Sequence, residues 1–96
     1  MPSTAVPSTV LPERLTLNEA GTTLLQLQAS LQAQPAGQVL VDASPLRDFD
    51  SSALAVLLEL RRHVQAGGRH LEVTGLPPRL ESLATLYGVR ELLASV

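Results

Sequence analysis

The sequence predicts an α/β domain with a mixed sheet of four to five strands and helices mainly on one face. Two observations carry that expectation. Apolar residues recur at helical spacing in three segments, and short runs with strand character lie between them. One such run, Gln38-Val39-Leu40-Val41-Asp42, is apolar at successive positions, as a strand covered on both faces must be. Strands that alternate with helices build a sheet with helices packed on it.

Each element follows from its own residues. Residues 1–12 are rich in Pro, Ser and Thr and read as the irregular N-terminal segment of a single domain spanning 1–96, with room for one short edge strand around residues 8–11. Residues 14–17 alternate polar and apolar, as a short strand does. Asn18 is a good N-cap for a helix over about 19–34, in which Ala20, Leu24, Leu27 and Leu31 share one face. Pro35-Ala36-Gly37 stops that helix. After the buried strand 38–42, residues 43–50 form a loop with Pro45 as its breaker. A second helix runs from 52 to about 66, with Ala53, Leu57, Leu60 and Val64 at helical spacing and Gly67-Gly68 as its stop. His70 to Thr74 alternates strictly and directs Leu71 and Val73 inward. Pro78 suits the first turn of a third helix whose buried face is Leu80, Leu83, Ala84 and Tyr87, closed by Gly88. Residues 90–95 make a last helical turn.

Composition narrows the function classes. The 96 residues contain no cysteine, so no disulfide framework is available, which suits a reducing compartment. The start lacks a basic region ahead of an apolar stretch, so it does not read as a secretory signal. The longest unbroken apolar run, Ala53 to Leu58, is far short of the roughly 20 residues that span a bilayer. A soluble, cytoplasmic chain without direct membrane insertion is expected. Net charge is −2, with seven arginines and no lysine, and no basic stripe suggests nucleic acid as a partner.

The search for catalytic groups is mostly negative. His63 and His70 are the two histidines, neither at metal-ligand spacing with the other. Ser51, His63 and Asp42 could be imagined as a nucleophilic triad, but there is no nucleophile elbow or Gly-rich oxyanion loop. Gly67-Gly68 is too short for a phosphate loop. The expectation is therefore a non-enzyme with no metal and no cofactor; a small hydrolase or nucleotide-binding protein is the weaker alternative.

What remains is Phe49-Asp50-Ser51-Ser52-Ala53-Leu54. On the residues alone it has two readings. One is a helix start, with Asp50 or Ser51 as cap and small Ala53 easing the packing of helix on sheet. The other is a contact surface, because a helix N-terminus presents free N–H groups and partial positive charge, and a hydroxyl there can bond across an interface or accept a phosphate. Tyr87 likewise is either core with its hydroxyl at the rim or a contact residue. Arg61 and Arg62 are either a solvated face or rim contacts.

The span Val39 to Leu58 resembles the core signature of STAS domains: a buried strand ending near Asp, a loop, then Asp-Ser/Thr-small opening a helix. Ala53 stands where many members carry Gly. The best-known members are anti-anti-sigma factors, in which a serine at this helix start is phosphorylated by an anti-sigma kinase; that position corresponds to Ser52. The second half, with Gly75-Leu76-Pro77 and then Leu83-Ala84-Thr85-Leu86-Tyr87-Gly88, resembles the MlaB-type branch of the family, in which the functional hydroxyl follows the Asp directly and so corresponds to Ser51.

This resemblance implies a STAS fold and a non-catalytic accessory subunit of an Mla-type phospholipid-transport ABC complex, the machinery of outer-membrane lipid asymmetry. The implied partner is the ABC transporter ATPase subunit (MlaF-like) and, through it, a membrane permease, with the chain peripheral to the inner membrane. The implied contact residues are Asp50, Ser51, Ser52, Ala53, Arg61 and Tyr87. The alternative it leaves is an anti-sigma factor antagonist switched by phosphorylation of Ser52, whose partner is an anti-sigma kinase.

Overall fold

Two strand ends set two helix starts side by side, and the rest of the fold is arranged around that junction. The structure, a computed structural model, describes residues 9–32 and 38–93. The elements in order are β1 Thr9–Val10, β2 Arg14–Leu15, α1 Leu17–Gln32, β3 Gln38–Asp42, β4 Asp48–Phe49, α2 Ser52–Ala66, β5 His70–Thr74, α3 Pro78–Leu86 and α4 Arg90–Leu93.

The α/β class of the expectation stands, and the strands number five, but they are split between two small sheets. One has the order β1-β3-β5, the other pairs β2 with β4. Every described pairing is parallel, which corrects the expectation of a mixed sheet. The cause lies in the connections. A helix intervenes between the partners of each pair, and a chain that crosses over through a helix returns in the same direction, whereas a tight hairpin would reverse it. In the larger sheet Val41 lies opposite both Thr9 and Val73, so β3 occupies the centre, as its continuous apolar run requires.

Helices α1 and α2 pack on each other, α1 also touching β1 and β2 and α2 touching β5. The core is almost wholly aliphatic, as a chain with two aromatics must make it: Leu15, Leu31, Val39, Val41, Leu57, Leu60, Val64 and Leu80 are fully buried. Burying each Leu or Val contributes about 1.5–3 kcal/mol before ordering costs. β1 is the short edge strand expected around residues 8–11, and Leu11 after it is buried, so from residue 9 onward the N-terminal segment is part of the packed fold rather than irregular. Residues 1–8 lie outside the described residues, as do the stop at Pro35-Ala36-Gly37 and the last residues of the 90–95 turn.

Two boundaries differ from expectation for local reasons. Helix α1 begins two residues early, and its cap is Thr16 rather than Asn18. The Thr16 N–H donates to Glu19 Oε1 at 2.8 Å and the Thr16 hydroxyl donates to the same oxygen at 2.7 Å, so Glu19 reaches back to Thr16 as in the carboxylate half of a capping box, while the Thr16 hydroxyl accepts the Asn18 N–H at 3.4 Å. Tyr87 is in line with Leu80 and Ala84 but is 57% exposed, which corrects its placement on the buried face. Here the helix ends in a Schellman turn: Gly88 takes φ +74, Val89 N–H returns to Ala84 O at 2.8 Å and Gly88 N–H to Thr85 O at 3.0 Å. The reversal brings Val89 and buried Leu93 under the end of α3, and the tyrosine ring is left outside.

Gly75, after β5, has φ +70, and a Cβ added to it would lie 2.9 Å from Ser44 Cβ and 3.1 Å from Ser44 N. Ser44 cannot easily yield, because its N–H is held by Asp42 Oδ1 at 2.9 Å. Gly75→Ala is therefore expected to destabilise the fold by about 1–3 kcal/mol in urea unfolding. Gly21→Ala, on the exposed face of α1 with nothing within 4 Å of the new methyl, is expected to stabilise it by about 0.5–1 kcal/mol.

Candidate functional site

The site begins with the register of the smaller sheet. Arg14 lies opposite Asp48 and Leu15 opposite Phe49. One residue further along these parallel strands come Thr16 and Asp50, and each opens a helix. The caps of α1 and α2 are thereby adjacent.

Asp50 exploits this adjacency. Its Oδ1 accepts the N–H of Ser52 at 2.8 Å and its Oδ2 accepts the N–H of Leu17 at 3.2 Å, so one carboxylate satisfies the first turns of two helices. The Ser52 N–H bond leads in holding the Asp50 carboxyl below the ordinary aspartate value; desolvation, the next-largest influence, opposes it, and the Leu17 N–H and the Ser52 side chain add smaller lowering contributions. Beside it, Glu19 is pulled down to about 2, first by the Thr16 hydroxyl and the Thr16 N–H, then by Arg14. Arg14 bridges the first turn of α1 and strand β4, with Nε 3.0 Å from Glu19 and Nη1 2.7 Å from Asp48.

Because Asp50 does the capping, Ser51 does not. Ser51 has helical dihedrals (φ −64, ψ −14) but makes no side-chain cap bond, and it is exposed. Helical spacing sets it in one outward stripe with Ala55, Leu58 and Arg62. Ser52 is half-buried and its N–H belongs to Asp50. Ala53 is fully buried, so it cannot touch a partner; its small side chain lets the first turn of α2 close on the core, a correction to its place among the contact residues. Arg61 is half-buried on the flank of the stripe, and Arg62 pairs with Glu59 at 3.2 Å. Tyr87 is exposed at the end of α3. No described hydrogen bond or ion pair joins Arg61 or Tyr87 to the Asp50-Ser51-Ser52 cluster.

Two neighbouring features escaped the sequence reading. Beside the stripe lies a mostly apolar groove of about 360 Å³ between α1 and α2, lined by Ala20, Gly21, Leu24, Ala55, Val56 and Glu59. Leu17 and Leu25 on α1 are 75% and 69% exposed. The second is the Thr16–Glu19 pairing, which the S/T-x-x-E spacing could have revealed. The bond from Leu17 to Asp50 spans 33 residues and has no local signal.

The geometry does not support an activated hydroxyl. His63 is twelve residues along α2 from Ser51, roughly 18 Å at the helical rise. The carboxylate of Asp42 is committed to Ser44 N–H. Among the described residues, no cluster of three His, Cys, Asp or Glu side chains could hold a metal ion. No helix there is long and apolar enough to cross a membrane.

Two predictions follow the capping pattern. Ser51→Ala should leave unfolding stability unchanged within about 0.5 kcal/mol, whereas Asp50→Ala should lower it measurably, because two helix starts lose their acceptor. The Glu19 carboxyl lies lower in the folded state than its ordinary 4.5, so its stabilising contribution is present above that value and is lost as pH falls toward about 2. Urea titrations across that window should show the decline in the native chain and a flatter profile in Glu19→Gln.

No curated protein matches the chain. A family model described as MlaB, STAS domain matches residues 9–94. That span takes in both sheets, all four helices and the doubly capped junction at Asp50. The chain belongs to the STAS domain family, in its MlaB-type branch.

Proposed function

We infer that this chain is a non-catalytic accessory subunit that binds and regulates the ATPase subunit of an Mla-type phospholipid ABC transporter, peripheral to the inner membrane on its cytoplasmic side. Family membership supports the class of role. The observation that carries the assignment of the contact is the division of labour at the start of α2. Asp50 takes the cap, and the Ser51 hydroxyl faces outward on a stripe it shares with Ala55, Leu58 and Arg62. A hydroxyl that owes nothing to its own helix can donate or accept across an interface without weakening the fold.

Regulation would follow from differential binding. The subunit shifts the ATPase toward one conformation only to the extent that it binds that conformation more tightly. The contact surface is the α2 stripe, with the apolar groove between α1 and α2 at its border. The alternative, a phosphorylation switch at Ser52, has less in its favour: that side chain is half-buried and adds to the stabilisation of the Asp50 carboxylate, against which a phosphate would be repelled.

Tagged protein is expected to co-purify an ABC ATPase. Ser51→Ala should weaken that complex by about tenfold through one unmatched hydrogen bond, with Gln65→Ala as the exposed control that leaves it unchanged. Recovery of a histidine-kinase-like anti-sigma factor in place of an ATPase, with binding lost in Ser52→Asp and unaffected in Ser51→Ala, would refute the transport reading.

A further inference from the structure

A second groove lies between residues 46–49 and the start of α3. It has a volume of about 390 Å³ and is lined by Leu46, Arg47, Phe49, Pro77, Pro78 and Arg79. Its floor is apolar: Leu46 and Phe49 are core residues, and the prolines lead into α3. The guanidinium of Arg79 lies over the Phe49 ring, 4.9 Å from its centroid. That stacking holds the cation in place while leaving its N–H edges for a ligand.

The distribution of arginines gives the groove its character. Arg14 is committed to Glu19 and Asp48, Arg62 to Glu59, and Arg69 donates to the Leu31 carbonyl at 3.0 Å. Arg47 and Arg79 are both exposed, and neither is in an ion pair among the described residues. Two uncommitted cations therefore border one apolar trough in a chain whose net charge is −2.

We propose that this groove receives an acidic side chain, set beside an aliphatic one, from a segment of a partner protein. Guanidinium groups match carboxylates in geometry as well as charge, and the proline-lined floor suits the neighbouring aliphatic group. A protein segment fits better than an anionic membrane. Glu13 and Asp48 are exposed beside Arg47, the N–H groups of Arg47 and Asp48 both bonding the Glu13 carbonyl, and a broad negative surface would meet those carboxylates too. A single segment entering the trough avoids them. The proposal rests on the partner-binding reading and extends its contact surface from the α2 caps across Phe49 to the start of α3.

The probe is the acetylated, amidated peptide Leu-Glu-Glu-Leu, compared with Leu-Gln-Gln-Leu, added to the full nitrogen-15-labelled chain. The acidic peptide should shift the amide resonances around Arg47, Phe49 and Arg79 with weak affinity, and added salt should reverse the shifts. Arg47→Gln, at an exposed position away from the core, should weaken binding by at least about threefold, and Arg47→Gln with Arg79→Gln should abolish it while the thermal midpoint of Arg47→Gln stays unchanged. Equal shifts with the glutamine peptide, or none at about 10 mM acidic peptide, would overturn the proposal. So would phosphatidylglycerol vesicles that bind the chain in an Arg47-dependent way when the peptide does not. The two readings fail separately. An ATPase complex sensitive to Ser51→Ala but indifferent to Arg47→Gln removes the groove and keeps the function; acidic-peptide binding without any ATPase complex keeps the groove and removes the function.

Discussion

One carboxylate ties the structure together at its functional end. Asp50 receives N–H groups from the first residues of α1 and α2, elements that are 35 residues apart in their starts but adjacent in space. Unsatisfied N–H groups at a buried or crowded helix start are costly, and a carboxylate is also the charge that a helix N-terminus favours. The two-stranded sheet makes the sharing geometrically available, because its parallel register brings both strand ends to the same line. The local chemistry follows from that: a low-lying carboxyl at Asp50, another at Glu19, and a serine relieved of capping duty.

The junction also explains why so small a chain can present a defined surface. Leu15 and Phe49, neighbours across β2 and β4, are buried beneath it, and Ala53 is packed at the base of α2. The polar atoms above them are ordered by hydrogen bonds within the cluster, so little side-chain freedom remains to be lost when a partner arrives. The exposed ion pairs of Arg14 add little stability in water, yet they orient Glu19 and Asp48 around the caps. Rigidity at the start of α2 and an unspent hydroxyl on its outer stripe are what a protein-binding adaptor needs.

Much of this was legible in the sequence, and the exceptions share a cause. The strands 38–42 and 70–74 and helix 52–66 were readable to the residue, because a continuous apolar run, a strict alternation and a helical repeat respectively mark them, each with a Gly or Pro close to at least one end. The two-residue strand β4 was not, since Asp48-Phe49 carries no periodicity and exists only by pairing with Arg14-Leu15. The parallel pairing was hidden for the same reason: direction is set by long-range connection. Tyr87 misled because helical periodicity continued one step past the Schellman turn that ends the helix. At the site, Asp50, Ser51 and Ser52 could be named from the sequence, but which of them caps depends on where Leu17 comes to lie, and that is a tertiary fact.

The most direct test of the account is an NMR pH titration that follows the backbone amide protons of Leu17 and Ser52 together with the Asp50 carboxyl carbon. A shared acceptor requires all three to titrate as one, with a midpoint below the ordinary aspartate value of 3.8. If the two amides move independently of one another, or follow Asp50 at or above that value, the two helices are not held by a single carboxylate, and the explanation for the free Ser51 hydroxyl is lost with it.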